Sequence, residues 1–196
     1  MKPDYSTRET LIAKIKNSHD QHSWEDFVRF YENYIHTVIS RKGVKYDDVQ
    51  DVSQKVLLVL WDKLPEFEYR PMECRFRTWM NNVILNICRN YFRGEIRYSK
   101  KLSKAAEEDI TENDSPLIYE QMESDWKKHV TDLALNNIRP NFEGKAIECF
   151  ELFCQGKSVD DVCETLELKR NSAFVLRKRV LEKLSTEIRR LDEQLS

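Results

Sequence analysis

Along FRTWMNNVILNICRNYFR, residues 76–93, apolar side chains recur every three or four positions: Phe76, Trp79, Met80, Val83, Ile84 and Ile87. At about 100° per residue these fall on one side of a helix, and Thr78, Asn82, Asn86, Arg89 and Arg93 fall on the other. The spacing predicts a helix with one face in a core. The opposite stripe holds amides and guanidiniums and no acid, groups suited to two-pronged hydrogen bonds with phosphates and base edges.

The same period recurs upstream. Trp24, Phe27, Val28, Tyr31, Tyr34, Ile35, Val38 and Ile39 predict a core-facing helix that opens at Ser23, with Asp26 as its capping partner, and ends at Lys42 and Gly43. Ser6 to Glu9 is a second capping box, ahead of Leu11, Ile12 and Ile15. Asp47 and Asp48 are expected to cap a third helix, which carries Val49, Val52, Val56, Leu57, Val59 and Leu60 up to Pro65. Its outer side offers Asp48, Asp51 and Gln54. Two prolines make 65–75 a loop, and Gly94 is expected to end the helix that follows. Residues 1–97 thus form one helical domain of ordinary size.

Residues 98–125 are polar, first basic and then acidic, with helical character only in YEQMESDW, and read as a flexible tether. A second domain, 126–196, follows, with helices expected at 126–138, 143–155, 159–166 and 171–191. The last two have helix-turn-helix spacing: SVDDVCETL, a turn ELKR, then NSAFVLRKRVLEKL. Val159, Val162, Cys163, Leu166, Leu168, Val175, Val180 and Leu184 are expected inside. Asn171, Ser172, Arg177, Lys178 and Arg179 remain for solvent or DNA.

Composition agrees with this division. A chain of 196 residues with four Gly, five Pro and 34% charged residues is expected to be all-α, two small helical domains joined by the acidic connector. The net charge of -2 hides a strong separation along the chain. Between 75 and 104 there are eight Arg or Lys and one Glu, and between 169 and 190 eight against two acids. By contrast, 107–125 holds eight acids and no base, and 47–68 six acids against two lysines. Two basic surfaces with an acidic stretch between them imply a polyanionic partner.

Other chemistries find little footing. The five cysteines, at 74, 88, 149, 154 and 163, form no CxxC pair and read as buried thiols of a reducing compartment. His19, His22, His36 and His129 lack metal-ligand spacing, so no metal or cofactor is expected. No glycine-rich phosphate loop or nucleophile–base pair points to an enzyme. No run approaches a membrane span, and the N-terminus lacks the apolar centre of a signal peptide, so a cytoplasmic protein is expected.

The order DVQDVSQKVLLVLW, loop, FRTWMNNVILNICRNYFR, connector and helix-turn-helix resembles the extracytoplasmic-function sigma factors of bacterial RNA polymerase, over about 24–97 and 126–191. LPEFEYRPMECRFRTW looks like the members of that group from planctomycete-like bacteria. The resemblance implies that Asp48, Asp51 and Gln54 dock on the clamp helices of the polymerase's largest subunit. It implies that the loop 66–75, with Arg75, and then Arg77, Asn82, Asn86, Arg89, Phe92 and Arg93 recognise and open the promoter's minus-ten element. It also implies that a recognition helix at 171–184, with Lys169, Arg170, Asn171, Ser172, Arg177, Lys178 and Arg179, reads the minus-thirty-five element, its domain resting on the flap of the second subunit. An anti-sigma factor belongs to the same expectation, as does a monomer when the chain is alone. Lys55 departs from the family, which commonly has an acid there, and Glu167 stands where Gly is frequent. The competing expectation is a helix-turn-helix regulator that binds DNA without polymerase.

Overall fold

The computed structural model describes residues 11–18, 21–68, 76–103 and 116–195. The capping box at 6–9, His19, the loop residues 69–75 with Cys74 and Arg75, and the tether residues 104–115 lie outside them. All regular structure among the described residues is helical. The helices are α1 (Leu11–Ser18), α2 (Gln21–Arg41), α3 (Val49–Lys63), α4 (Phe76–Ser103), α5 (Pro116–Ile138), α6 (Ala146–Cys154), α7 (Val159–Leu166) and α8 (Arg170–Leu195). Short 3-10 turns occupy Tyr46–Asp48, Leu64–Glu66 and Arg139–Asn141. The chain divides into two compact units, Met1–Lys127 with Gln194–Ser196, and Lys128–Glu193.

In the first unit α2 packs on α1 and α3, and α3 on α4. Phe27, Tyr31, Tyr34, Ile35, Val38 and Ile39 of α2 are buried at the spacing their sequence gives, as are Phe76, Met80, Val83 and Ile84 of α4. Aromatic rings form the centre: Phe27, Tyr31 and Phe67 each meet Phe76 with centroids 5.6–5.9 Å apart, and Trp79 lies 4.9 Å from Phe67. Such edge-on and tilted pairs add to the burial of their large apolar area. Trp126 completes the cluster from α5, 5.9 Å from Tyr31 and 5.2 Å from Tyr34.

Three local expectations are corrected. Ser23 does not cap α2: the helix starts at Gln21, whose amide donates to Glu25 one turn on, and Ser23 is buried within the first turn. Asp48 occupies the N-cap position of α3 but makes no capping hydrogen bond, because its carboxylate accepts instead from the Tyr91 hydroxyl at 2.6 Å. Gly94 does not end α4. A terminating glycine takes a left-handed conformation, as Gly43 does after α2 with φ +86°; Gly94 stays at negative φ and the helix continues to Ser103. The segment 98–125 is accordingly helical at both ends, since α5 begins at Pro116, a residue pre-set for the first helical position.

The second unit contains the remainder of α5, then α6, α7 and most of α8. Cys149, Val162, Leu166 and Ala173 form its core, flanked by Leu152, Phe153, Cys163, Leu168 and Leu176. A capping box opens α7: Ser158 Oγ accepts from the Asp161 amide and Asp161 Oδ2 from the Ser158 amide, both at 3.1 Å. Hydrogen bonding from Ser158, by its side chain and then its backbone amide, holds the Asp161 carboxyl below its ordinary range. At the other end Glu167 takes φ 51°, ψ 48°, and Leu168 N–H reaches back to Cys163 O at 2.9 Å. This is the left-handed helix ending that glycine most readily fills, here made with a side chain at a cost of about 1 kcal/mol.

One core expectation for the second unit fails. Val175 is 56% exposed, whereas Ala173, Val180 and Leu184 are buried and Leu176 is partly so. The stretch Phe174-Val175-Leu176 offers three consecutive apolar residues and hence three possible phases. The helix takes the one that turns Ala173, the smallest side chain of the run, against α6, where Cys149 Sγ lies 3.6 Å from Ala173 O. Among the thiols, Cys88 and Cys149 are buried, Cys163 is half-buried and Cys154 is exposed, the last against expectation.

Candidate docking and nucleic-acid surfaces

On the first unit α3 and α4 each bury one side and turn the other out. Asp51 and Gln54, three residues apart on α3, are exposed, and Lys55 beside them is exposed as well. Asp48 is half-buried and held by Tyr91. Desolvation, and secondarily this hydrogen bond to a carboxylate, pushes the Tyr91 phenol above its usual range. Lys45, in the turn before α3, pairs with Glu95 of α4, which raises the lysine's pKa.

On α4 the stripe expected to face a nucleic acid is divided. Asn82, Asn86 and Arg93 are exposed, and Arg89 is half-buried. Phe92 is half-buried, edge-on to Tyr91 with centroids 5.2 Å apart. Arg77 is differently placed. Its guanidinium lies 2.6 Å from Glu123 and 5.3 Å from the centroid of Trp126, and its side chain is only 18% exposed. Nearby, the Tyr119 hydroxyl lies 3.4 Å from Asn82 Oδ1.

The start of α5 therefore contacts two members of that stripe. It is further fixed by Arg41, 3.1 Å from the buried carboxylate of Asp125, and by Tyr34, whose hydroxyl lies 3.4 Å from Met122 O while donating to Asn81 Oδ1 of α4 at 2.9 Å. Burial raises the pKa values of Tyr31 and Tyr34 far above the normal phenol range. The sequence puts the acids of 116–125 in a tether with helical character in YEQMESDW; the helix holds from Pro116, and its spacing with Met122 and Trp126, both buried, is the signal for a packed segment.

On the second unit, the helix-turn-helix presents α8. Lys169, Arg170, Asn171, Ser172, Arg177, Lys178 and Arg179 are all exposed. Arg170 lies 3.3 Å from Asp160, Lys178 3.8 Å from Glu182, and the Arg177 guanidinium 4.8 Å from the Phe153 ring centroid. These contacts are at the surface and hold the side chains weakly. Asn171, Val175 and Lys178 follow one another at spacings of four and three residues and form the middle of the outward face. Phe174, 46% exposed, stands beside them and stacks on Phe153 at 6.3 Å.

Among the described residues, no helix is long and apolar enough to cross a membrane, and no three His, Cys, Asp or Glu side chains gather as a metal site. No protein-family model matches the chain, and no curated protein does. Among solved structures, CnrH in complex with the cytosolic domain of CnrY aligns over 90% of this chain and 93% of that one, at 17% identity and TM-score 0.37. The sigma factor RpoE from Bartonella quintana, in complex with the anti-sigma factor NepR, aligns over 84% and 96%, at 16% identity and TM-score 0.30. At scores this low the likeness fixes no arrangement of helices, and no residue role passes from those proteins to this chain.

Proposed function

We propose that this chain is a sigma factor of the extracytoplasmic-function type, which carries bacterial core RNA polymerase to promoters and starts their opening. The observation that carries the reading is a repeated one. In each of two separate helical units, one long helix buries an apolar side and exposes amides and cations, Asn and Arg on α4 and Asn, Arg and Lys on α8. Asn, Arg and Lys on a rigid helix suit phosphates and base edges, and two such faces on one chain suit two promoter elements. The motif order in the sequence supports the assignment to this family.

In this proposal Asp51 and Gln54 on α3 meet the polymerase clamp, with Asp48 clasped to Tyr91 behind them. Asn82, Asn86, Arg89 and Arg93 meet minus-ten DNA, with Phe92 beside them as the stacking surface for an unpaired base. Arg77 serves there only after its contacts with Glu123 and Trp126 are given up. Asn171, Ser172 and the basic residues of α8 meet the minus-thirty-five duplex, and an anti-sigma factor would compete for these surfaces.

The test is transcription in vitro with core bacterial polymerase on a library of genomic fragments. Initiation at particular sites that depends on the chain is the expected result. Replacing Arg89 and Arg93 together by Ala reduces open-complex formation at least about tenfold while polymerase binding persists. Tight duplex binding by the purified chain alone, with no association with polymerase, identifies a conventional helix-turn-helix regulator instead.

A further inference from the structure

Val175 has no role in the core, and nothing in its local structure rewards it where it stands. It is β-branched, which disfavours a helix slightly, and more than half exposed, so its methyls meet water. Yet it lies at the centre of the outward face of α8, between Asn171 one turn before and Lys178 one turn after, with Arg179 flanking. An apolar side chain framed by an amide and cations matches one macromolecular surface well. The major groove of DNA places anionic phosphates at its edges and, at each thymine, a 5-methyl group among the polar base edges.

We propose that Val175 is a specificity-determining residue, packing on the 5-methyl group of a thymine in the upstream promoter element while Asn171 and Lys178 engage neighbouring base edges or phosphates. The inference rests on the reading of α8 as a recognition helix. Charge complementarity selects this occupant: Lys178 and Arg179 stand one turn from the valine on the same face, and Glu182 is the nearest acid along the stripe, already beside Lys178. A protein partner fitted to an apolar spot would not need that cationic frame.

Uracil substitution tests the contact one methyl group at a time. Duplex promoters recovered by selection with the full chain and core polymerase are rebuilt with deoxyuridine in place of each thymidine of the upstream element, on either strand. With the native chain, one or two such substitutions weaken promoter binding about three- to fivefold, the loss of one buried methyl contact. Val175→Ala weakens binding to the thymidine promoter by a similar factor and becomes indifferent to uracil at those positions. Val175→Thr, which keeps one methyl on a side chain of the same shape, retains part of the discrimination.

A native chain insensitive to uracil throughout the element overturns the proposal, and so does Val175→Ala that remains as uracil-sensitive as the native chain. In either case site-specific initiation persists and the sigma-factor reading survives. If no promoter is selected at all, that reading falls and takes this inference with it.

Discussion

Arg77 of the first unit and the cations of the α8 face in the second are held in opposite ways. In the first, Arg77 is committed to the chain itself, its guanidinium against Glu123 and over Trp126. In the second, Arg170, Arg177 and Lys178 also have neighbours, but each remains largely in water. Depth makes the difference. Trp126 is 1% exposed and gives Arg77 a dry surface to lie on, whereas Phe153, under Arg177, is only half-buried. A guanidinium over a desolvated ring is held more firmly than one over a wet ring. Arginine count measures capacity for a polyanion, then, and neighbouring rings decide how much of it stands ready.

That contrast can be broken at its strongest point first. Trp126→Ala removes the surface that orders Arg77 and empties a buried site between Tyr31 and Tyr34; urea unfolding is expected to show a loss of about 3–5 kcal/mol. Phe174→Ala, in the exposed stack of the second unit, is expected to cost less than about 1 kcal/mol. Equal losses would erase the distinction. Arg77→Ala comes next, with about 1–2 kcal/mol lost through packing and the partly screened ion pair, against a few tenths for Arg177→Ala.

Glu167→Gly sharpens the picture of the second unit with a gain. Relief of the left-handed strain, partly offset by glycine's greater freedom when unfolded, is expected to add about 0.5–1 kcal/mol and raise the thermal midpoint. A lower midpoint would mean that the weak approach of Lys145 to Glu167, 3.9 Å, matters more than backbone strain.

The smallest effect concerns acid. The Asp161 carboxyl is depressed in the folded state by its bonds to Ser158, so its contribution is complete above the ordinary value near 3.8 and is lost as pH falls through the lower folded value. Asp161→Asn is expected to flatten the acid side of the stability profile of the second unit, as read by unfolding midpoints at stepped pH. The cap lies in solvent, so the change is slight.

What the sequence could tell varied with how strongly one phase of the helix was preferred. On α2 and α4 large apolar residues repeat over several turns with polar residues between, and the buried faces follow them. Helix-turn-helix spacing was legible for the same reason, with Val162 and Leu166 inside. Three consecutive apolar residues at 174–176 carried no phase, and Val175 was assigned to the wrong side. Gly94 was misread because glycine only permits a helix to end, and the residues after it continue one. Arg77 and Asp48 could not be placed at all without their partners, since Glu123 and Tyr91 lie more than forty residues away in sequence.

The phenol–carboxylate link between Tyr91 and Asp48 has a mechanical side. With Lys45 and Glu95 close by, it pins the turn that leads into α3 to the later part of α4 at two points. Whatever grips the head of α3 also acquires leverage on α4, without any strain having to travel through the aromatic centre.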